Sequence, residues 1–139
     1  GTTSNKKEGD KKTPKGTFEI QHLYFRKDRK KKPSTLLKCI EIKKNMGWCD
    51  DIRFPKKYNK LCKMEKNIRS EKLLRKDNKY DFLIPIKYNF KKPISGRGSC
   101  IFIHLTKDYR PTAGCIALKE KDFLIMLKLI RKNSKIIIF

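Results

Sequence analysis

The apolar residues of this chain are gathered into short runs, and only one stretch carries them at helical spacing. That pattern restricts the chain to a mainly β domain with one helix packed on it. The runs at 18–25, 36–42, 80–88, 100–105 and 135–139 are rich in Phe, Tyr, Ile and Leu and none exceeds nine residues, so each reads as a strand. Phe123, Leu124, Leu127 and Ile130 recur at helical spacing and predict a helix between residues 118 and 132. Asp122 falls in its first turn and Lys128, Arg131 and Lys132 near its end, which suits the helix dipole. Lys91-Lys92-Pro93 and Ser95-Gly96-Arg97-Gly98 supply the turns between two of the strands. At 139 residues the chain is one domain, 1–139, large enough to bury a core without metal or disulfides.

Two segments lack such patterning. Residues 1–16 are Lys-rich with Gly9 and Gly16 and read as an exposed lead-in. Residues 43–79 lose periodicity and read as a long irregular loop, of the kind that covers a site or wraps a sheet edge. Within it Trp48 and Tyr58 are expected as aromatic anchors. Gly1-Thr2-Thr3 has no initiator Met, so a targeting segment or initial strand is expected to precede residue 1.

The net charge is +23, from 37 basic and 14 acidic residues, with the excess spread as short Lys runs such as Lys30-Lys31-Lys32. A field of this kind attracts polyanions in general: nucleic acid, anionic lipid, or a wall bearing carboxylates and phosphates. Specific nucleic-acid recognition is not expected, because no recognition motif is present and the cations do not follow one helix face. No run approaches the roughly 18 apolar residues of a membrane span, and no secretory signal core is visible. Five cysteines, an odd number, leave at least one free thiol unless chains are bridged. With no C-x-x-C and two histidines, no metal site and no cofactor are expected.

Residues 100–118, CIFIHLTKDYRPTAGCIAL, carry the chemistry. An apolar strand delivers His104, a polar turn follows, and the chain returns through Thr112-Ala113-Gly114-Cys115. A free thiol with a pKa of roughly 8.5 is mostly protonated at neutral pH, so an imidazole that takes its proton makes it a nucleophile. Gly114 lets the backbone turn sharply beside the sulfur, where N–H groups can face an oxyanion. Packing alone also explains a lone Cys or His, and His22 is read as a structural strand residue. Cys100 is expected in the core.

The segment 96–118, GRGSCIFIHLTKDYRPTAGCIAL, resembles the active-site segment of the L,D-transpeptidase (YkuD-like) family, where a strand-borne His precedes a [ST]-x-G-C turn carrying the nucleophile. Glu8-Gly9-Asp10 with Thr13-Pro14-Lys15-Gly16-Thr17-Phe18 resembles an early segment of that family. Gly47-Trp48-Cys49-Asp50-Asp51 with Tyr58-Asn59 resembles a segment of one short-chain branch. The chain departs at Ala113 and Ala117, where most members carry His, and Arg or Asn, respectively.

The resemblance implies an L,D-transpeptidase-like β-sandwich and acyl transfer on peptidoglycan stem peptides through a Cys115 thioester. His104 would be the base, with Gly114 beside the oxyanion. It also implies an extracytoplasmic location against an anionic cell wall, and a monomer is expected. Arg110 and Arg97 are candidates for holding a substrate carboxylate bidentately. Thr112 is expected to orient the turn, and Trp48 to border the substrate. An amine acceptor would give transpeptidation and water a carboxypeptidase or hydrolase, while a non-enzymatic polyanion binder is the alternative of a different class.

Overall fold

The computed structural model describes all residues from Gly1 to Phe139. Its strands are β1 (Thr2–Thr3), β2 (Thr13–Pro14), β3 (Gly16–Glu19), β4 (Leu23–Phe25), β5 (Cys39–Glu41) and β6 (Met46–Cys49). After them come β7 (Leu61–Lys63), β8 (Ser70–Lys72), β9 (Phe82–Pro85), β10 (Phe102–Leu105), β11 (Ile116–Leu118) and β12 (Lys135–Ile138). The one helix, α1, runs Glu120–Leu129, inside the predicted limits, and buries Phe123 and Leu127.

The centre is a five-stranded sheet in the order β11-β10-β9-β4-β5. Strands β9 and β10 are buried at every position, as central strands covered on both faces must be. Side chains therefore alternate between two separate cores. Leu23, Phe25, Phe82, Ile84, Ile103 and Leu105 point to one face, where they meet Phe123 and Leu127 of α1 together with Phe18, Ile136 and Ile138 from the β3–β12 pair. Tyr24, Leu83 and Phe102 point to the other face and meet Trp48, Leu73 and Tyr80.

That second layer comes from residues 43–79. The segment expected as an irregular loop contains a three-stranded antiparallel sheet, β7-β6-β8. Its strands are three or four residues long, too short to leave a periodic signal in the sequence, and only Gly47, Trp48 and Cys49 among them are buried. The apolar run at 18–25 likewise divides into β3 and β4, which belong to different sheets.

The Lys-rich N-terminus is not a lead-in. Strands β1 and β2 pair in parallel, Lys6 and Pro14 are buried, and the Glu8 N–H donates to Gly96 O at 2.8 Å. Burial would push the Asp10 carboxyl up, yet the Lys6 ammonium (2.5 Å) and the N–H groups of Lys7 and Lys12 (2.9 Å each) hold it at about 2. A Lys-rich sequence looks solvated until such local partners are seen.

Candidate active site

His104 lies on β10, and Cys115 directly precedes the neighbouring parallel strand β11. The register sets His104 opposite Ala117 and Ile103 opposite Ile116. Because side chains alternate, His104 and Cys115 share the face of the sheet that carries Phe102, one diagonal step apart. Their opposite neighbours, Ile103 and Ile116, go into the helix-side core.

His104 is buried, and its Nδ1 lies 2.8 Å from the carbonyl oxygen of Leu105. A carbonyl only accepts, so Nδ1 carries the hydrogen and Nε2 presents its lone pair. Tyr80 stands edge-on to the imidazole, ring centres 5.5 Å apart, and its hydroxyl donates to Glu71 Oε1 at 2.8 Å. Burial, followed by the charges of Lys79 and Arg75, lowers the His104 pKa against the Leu105 hydrogen bond, so the ring is neutral at pH 7.

Cys115 is half-buried and its thiol donates to the Cys100 carbonyl at 3.1 Å. Burial pushes this thiol up to about 11, Glu71 adds to the rise, and the Phe102 backbone N–H, Lys6 and Lys79 oppose it. The resting pair is therefore thiol and neutral imidazole, with the S–H engaged by Cys100 rather than by His104. All five cysteines are free.

The turn before Cys115 is held from two sides. Thr112 Oγ1 donates to Cys115 O at 2.6 Å. Gly114 sits at φ 109°, and a Cβ there would come within 2.6 Å of Lys12 O, so the N-terminal segment packs directly against the turn. The N–H groups of Gly114 and Cys115 donate to no group in the protein.

A cleft of about 250 Å³ opens over His104. Thr112, Arg110, Lys79 and Asp77 are among the residues around it. Arg110 reaches its rim but is 85% exposed and pairs with Asp108 at 2.7 Å. Arg97 is exposed on the turn before β10 and does not line this cleft. Trp48 is 3% exposed, packs edge-on against Tyr24 and Phe102, and donates from Nε1 to Asn59 Oδ1 at 2.9 Å. It lies in the core beneath the sheet and does not line the cleft.

The Tyr58-Asn59 motif stood out in the sequence without a role for Asn59, and Tyr80, Glu71 and Lys79 were missed. The last three are a diffuse set with no spacing signal, brought together only by β8 and the turn before β9. Asn59 is buried at φ 54°, a conformation Asn tolerates better than most residues. Its Oδ1 accepts from Trp48 and from the Cys100 N–H at 3.2 Å, and its Nδ2 donates to Tyr88 O and Asn89 O. It thus braces Cys100, itself at φ 55°, whose carbonyl accepts from the Cys115 thiol. Tyr58 works beside it: its hydroxyl donates to Glu8 and accepts from the Gly98 N–H at 3.0 Å, while Ser99 Oγ donates to the same carboxylate at 2.7 Å. Asn59→Ala is expected to cost about 3 kcal/mol, because buried partners lose their bonds, and to lower Tm by roughly 10 °C in thermal denaturation. A shift under about 2 °C would remove Asn59 as the brace.

No curated protein and no solved structure matches this chain. The family model for the L,D-transpeptidase catalytic domain (YkuD) matches residues 1–138. The mainly β architecture, with sheets layered about the His104 and Cys115 strands, agrees with the sandwich of that family. Since the match covers essentially the whole chain, the protein belongs to the YkuD L,D-transpeptidase catalytic-domain family of peptidoglycan enzymes.

Proposed function

We propose that the protein is a cysteine acyltransferase that acts on peptidoglycan stem peptides through a Cys115 thioester. The observation that carries this reading is the Gly114-Cys115 turn. It sets a thiol on the same sheet face as a neutral imidazole, with two backbone N–H groups uncommitted at the sulfur. Those N–H groups would receive the oxyanion.

The chemistry begins with the thiol leaving the Cys100 carbonyl and giving its proton to His104 Nε2 as sulfur attacks the peptide carbonyl. The tetrahedral intermediate collapses with cleavage of the C–N bond. His104 returns the proton to the departing amino group, and a thioester remains. An amine or water then attacks the thioester, His104 takes its proton, and the thiol is regenerated. An amine acceptor gives transpeptidation; water gives L,D-carboxypeptidase chemistry at the same residues. Arg110 stands where it can meet a substrate once freed from Asp108, and Thr112 orients the turn.

That the family acts on peptidoglycan supports a site of action outside the cytoplasm, against the anionic wall. The groove of about 660 Å³ lined by Lys27, Arg29, Lys31 and Lys32 supplies a cationic surface for that contact. No helix is long and apolar enough to cross a membrane.

Incubation with a stem tetrapeptide, with and without an amine acceptor, followed by mass analysis tests the reading. Loss of the terminal D-residue together with a thioester adduct on Cys115 is the expected result. An intact peptide would refute it.

The pH dependence is a separate expectation. His104 must be neutral to act as base, and its pKa lies below 6.5, so peptide turnover falls only as pH drops below that value. Direct alkylation of Cys115 needs the thiolate and should keep rising with pH toward about 11. A labelling curve that levels off near pH 7 would mean a preformed thiolate–imidazolium pair instead.

A further inference from the structure

Charges around the His104 cleft separate into those with partners and those without. Arg110 is taken by Asp108 at 2.7 Å. Arg75 is taken by Asp77 at 2.6 Å and by Glu71 at 3.4 Å, with its guanidinium over the Tyr80 ring. Lys6, whose charge also reaches Cys115, is buried in its bond with Asp10. Two cations on the cleft wall, Lys79 and Lys107, form no salt bridge, although the Lys79 charge does act on Asp77, a carboxylate already held by Arg75 at 2.6 Å.

These two differ in place. The Lys79 backbone is tied to the catalytic strand, for its carbonyl accepts the Leu105 N–H at 3.0 Å, directly after His104. The Lys79 side chain is exposed and lines the cleft. Its charge acts on both His104 and Cys115, whereas that of Lys107 figures at neither. On the strand beyond the nucleophile, the position opposite His104 is Ala117, which offers no charge or donor from its side chain.

We infer that Lys79 is the specificity-determining cation of this site, holding a carboxylate of the acyl-donor peptide in the cleft beside His104. The inference rests on the acyl-transfer reading for its substrate, and it adds the selecting residue. An ammonium that forms no salt bridge can receive a carboxylate without first breaking a close ion pair, which Arg110 would have to do. A donor whose carboxylate has been converted to a carboxamide should lose this contact.

The test compares Lys79→Gln, Lys79→Arg and, as control, Lys107→Gln. With a stem tetrapeptide, Lys79→Gln should raise KM about ten- to a hundredfold with kcat little changed, and Lys79→Arg should recover most of the loss. The carboxamide analogue should respond little to any of the three variants. Equal losses on both substrates, or none on the carboxylate, would overturn the inference.

A second measurement needs no turnover. Alkylation of Cys115 is followed by peptide mass mapping with anionic iodoacetate and neutral iodoacetamide at one pH. The iodoacetate-to-iodoacetamide rate ratio should fall about three- to tenfold in Lys79→Gln and stay constant in Lys107→Gln. If wild-type protein leaves every stem peptide intact, the acyl-transfer reading fails while this ratio still decides whether Lys79 recruits anions to the thiol. An unchanged ratio in Lys79→Gln overturns the inference.

Discussion

Cys115→Ala will abolish thioester formation and lower acyl transfer by at least about a thousandfold while leaving the protein folded. The sulfur is the only atom in the turn able to hold the acyl group; the alternative nucleophile nearest in sequence, Thr112, has its hydroxyl committed to the Cys115 carbonyl. Stability should change by only about 1 kcal/mol, since one half-buried sulfur and one weak hydrogen bond are lost from a turn. Mass analysis of the protein after incubation with a stem peptide reads the adduct, and circular dichroism melting reads the fold. Turnover retained in a folded Cys115→Ala protein would end the enzyme reading. Replacing Cys100 is a useful contrast: its backbone carbonyl, not its side chain, accepts from the Cys115 thiol, so the variant should keep activity and lose mainly stability.

Gly114→Ala should damage both properties at once. The residue is held at φ 109°, where a Cβ is strained whatever the space, and Lys12 O would lie 2.6 Å from the added carbon. Backbone on both sides of the contact leaves little room to yield. A loss of about 2 to 3 kcal/mol is expected, or roughly 5–10 °C in Tm. Activity should fall further, by about a hundredfold or more, because relief of the clash rotates the Gly114 and Cys115 N–H groups away from the developing oxyanion. Gly96→Ala separates the two contributions. Gly96 has φ 87° but open space around its would-be Cβ, so that variant carries the conformational strain without the collision. Equal melting shifts in the two variants would show that Lys12 does not wedge the turn.

The neutral state of the resting pair also bears on how the site stays protected. A half-buried thiol held near 11 by its surroundings is a poor target for adventitious oxidants or electrophiles. On the acyl-transfer reading proposed above, a substrate would draw the S–H from Cys100 toward His104. His104 contributes to pH-dependent stability in the same direction as to turnover. Its folded pKa lies below its ordinary 6.5, so the unfolded chain binds the proton more readily, and stability declines as pH falls below that value.

Local pattern is enough for those elements whose final environment agrees with it. The helix at 120–129 needs only its apolar stripe, and the runs that became β9 and β10 are apolar because both faces of a central strand are buried. The His104 and Cys115 pair was legible too, since a strand followed by a Gly-Cys turn keeps its meaning within some twenty residues. Tertiary structure alone decided the rest, because those decisions depend on contacts between distant segments. Residues 43–79 form a sheet layer because Trp48, Leu73 and Tyr80 find Tyr24, Leu83 and Phe102 across the interface, an arrangement no local period encodes. Trp48 went to the core rather than to the cleft, for burying an indole while bonding its N–H to Asn59 satisfies both of its ends. Residues 1–16, polar by composition, became the support of the Gly114-Cys115 turn because Asp10 gathers Lys6 and two backbone N–H groups, and the Lys12 carbonyl then meets Gly114 so closely that no Cβ fits there. The ionisation of the thiol was settled last and in the opposite sense from a simple Cys–His pairing, since the loss of water around Cys115 outweighs the nearby cations.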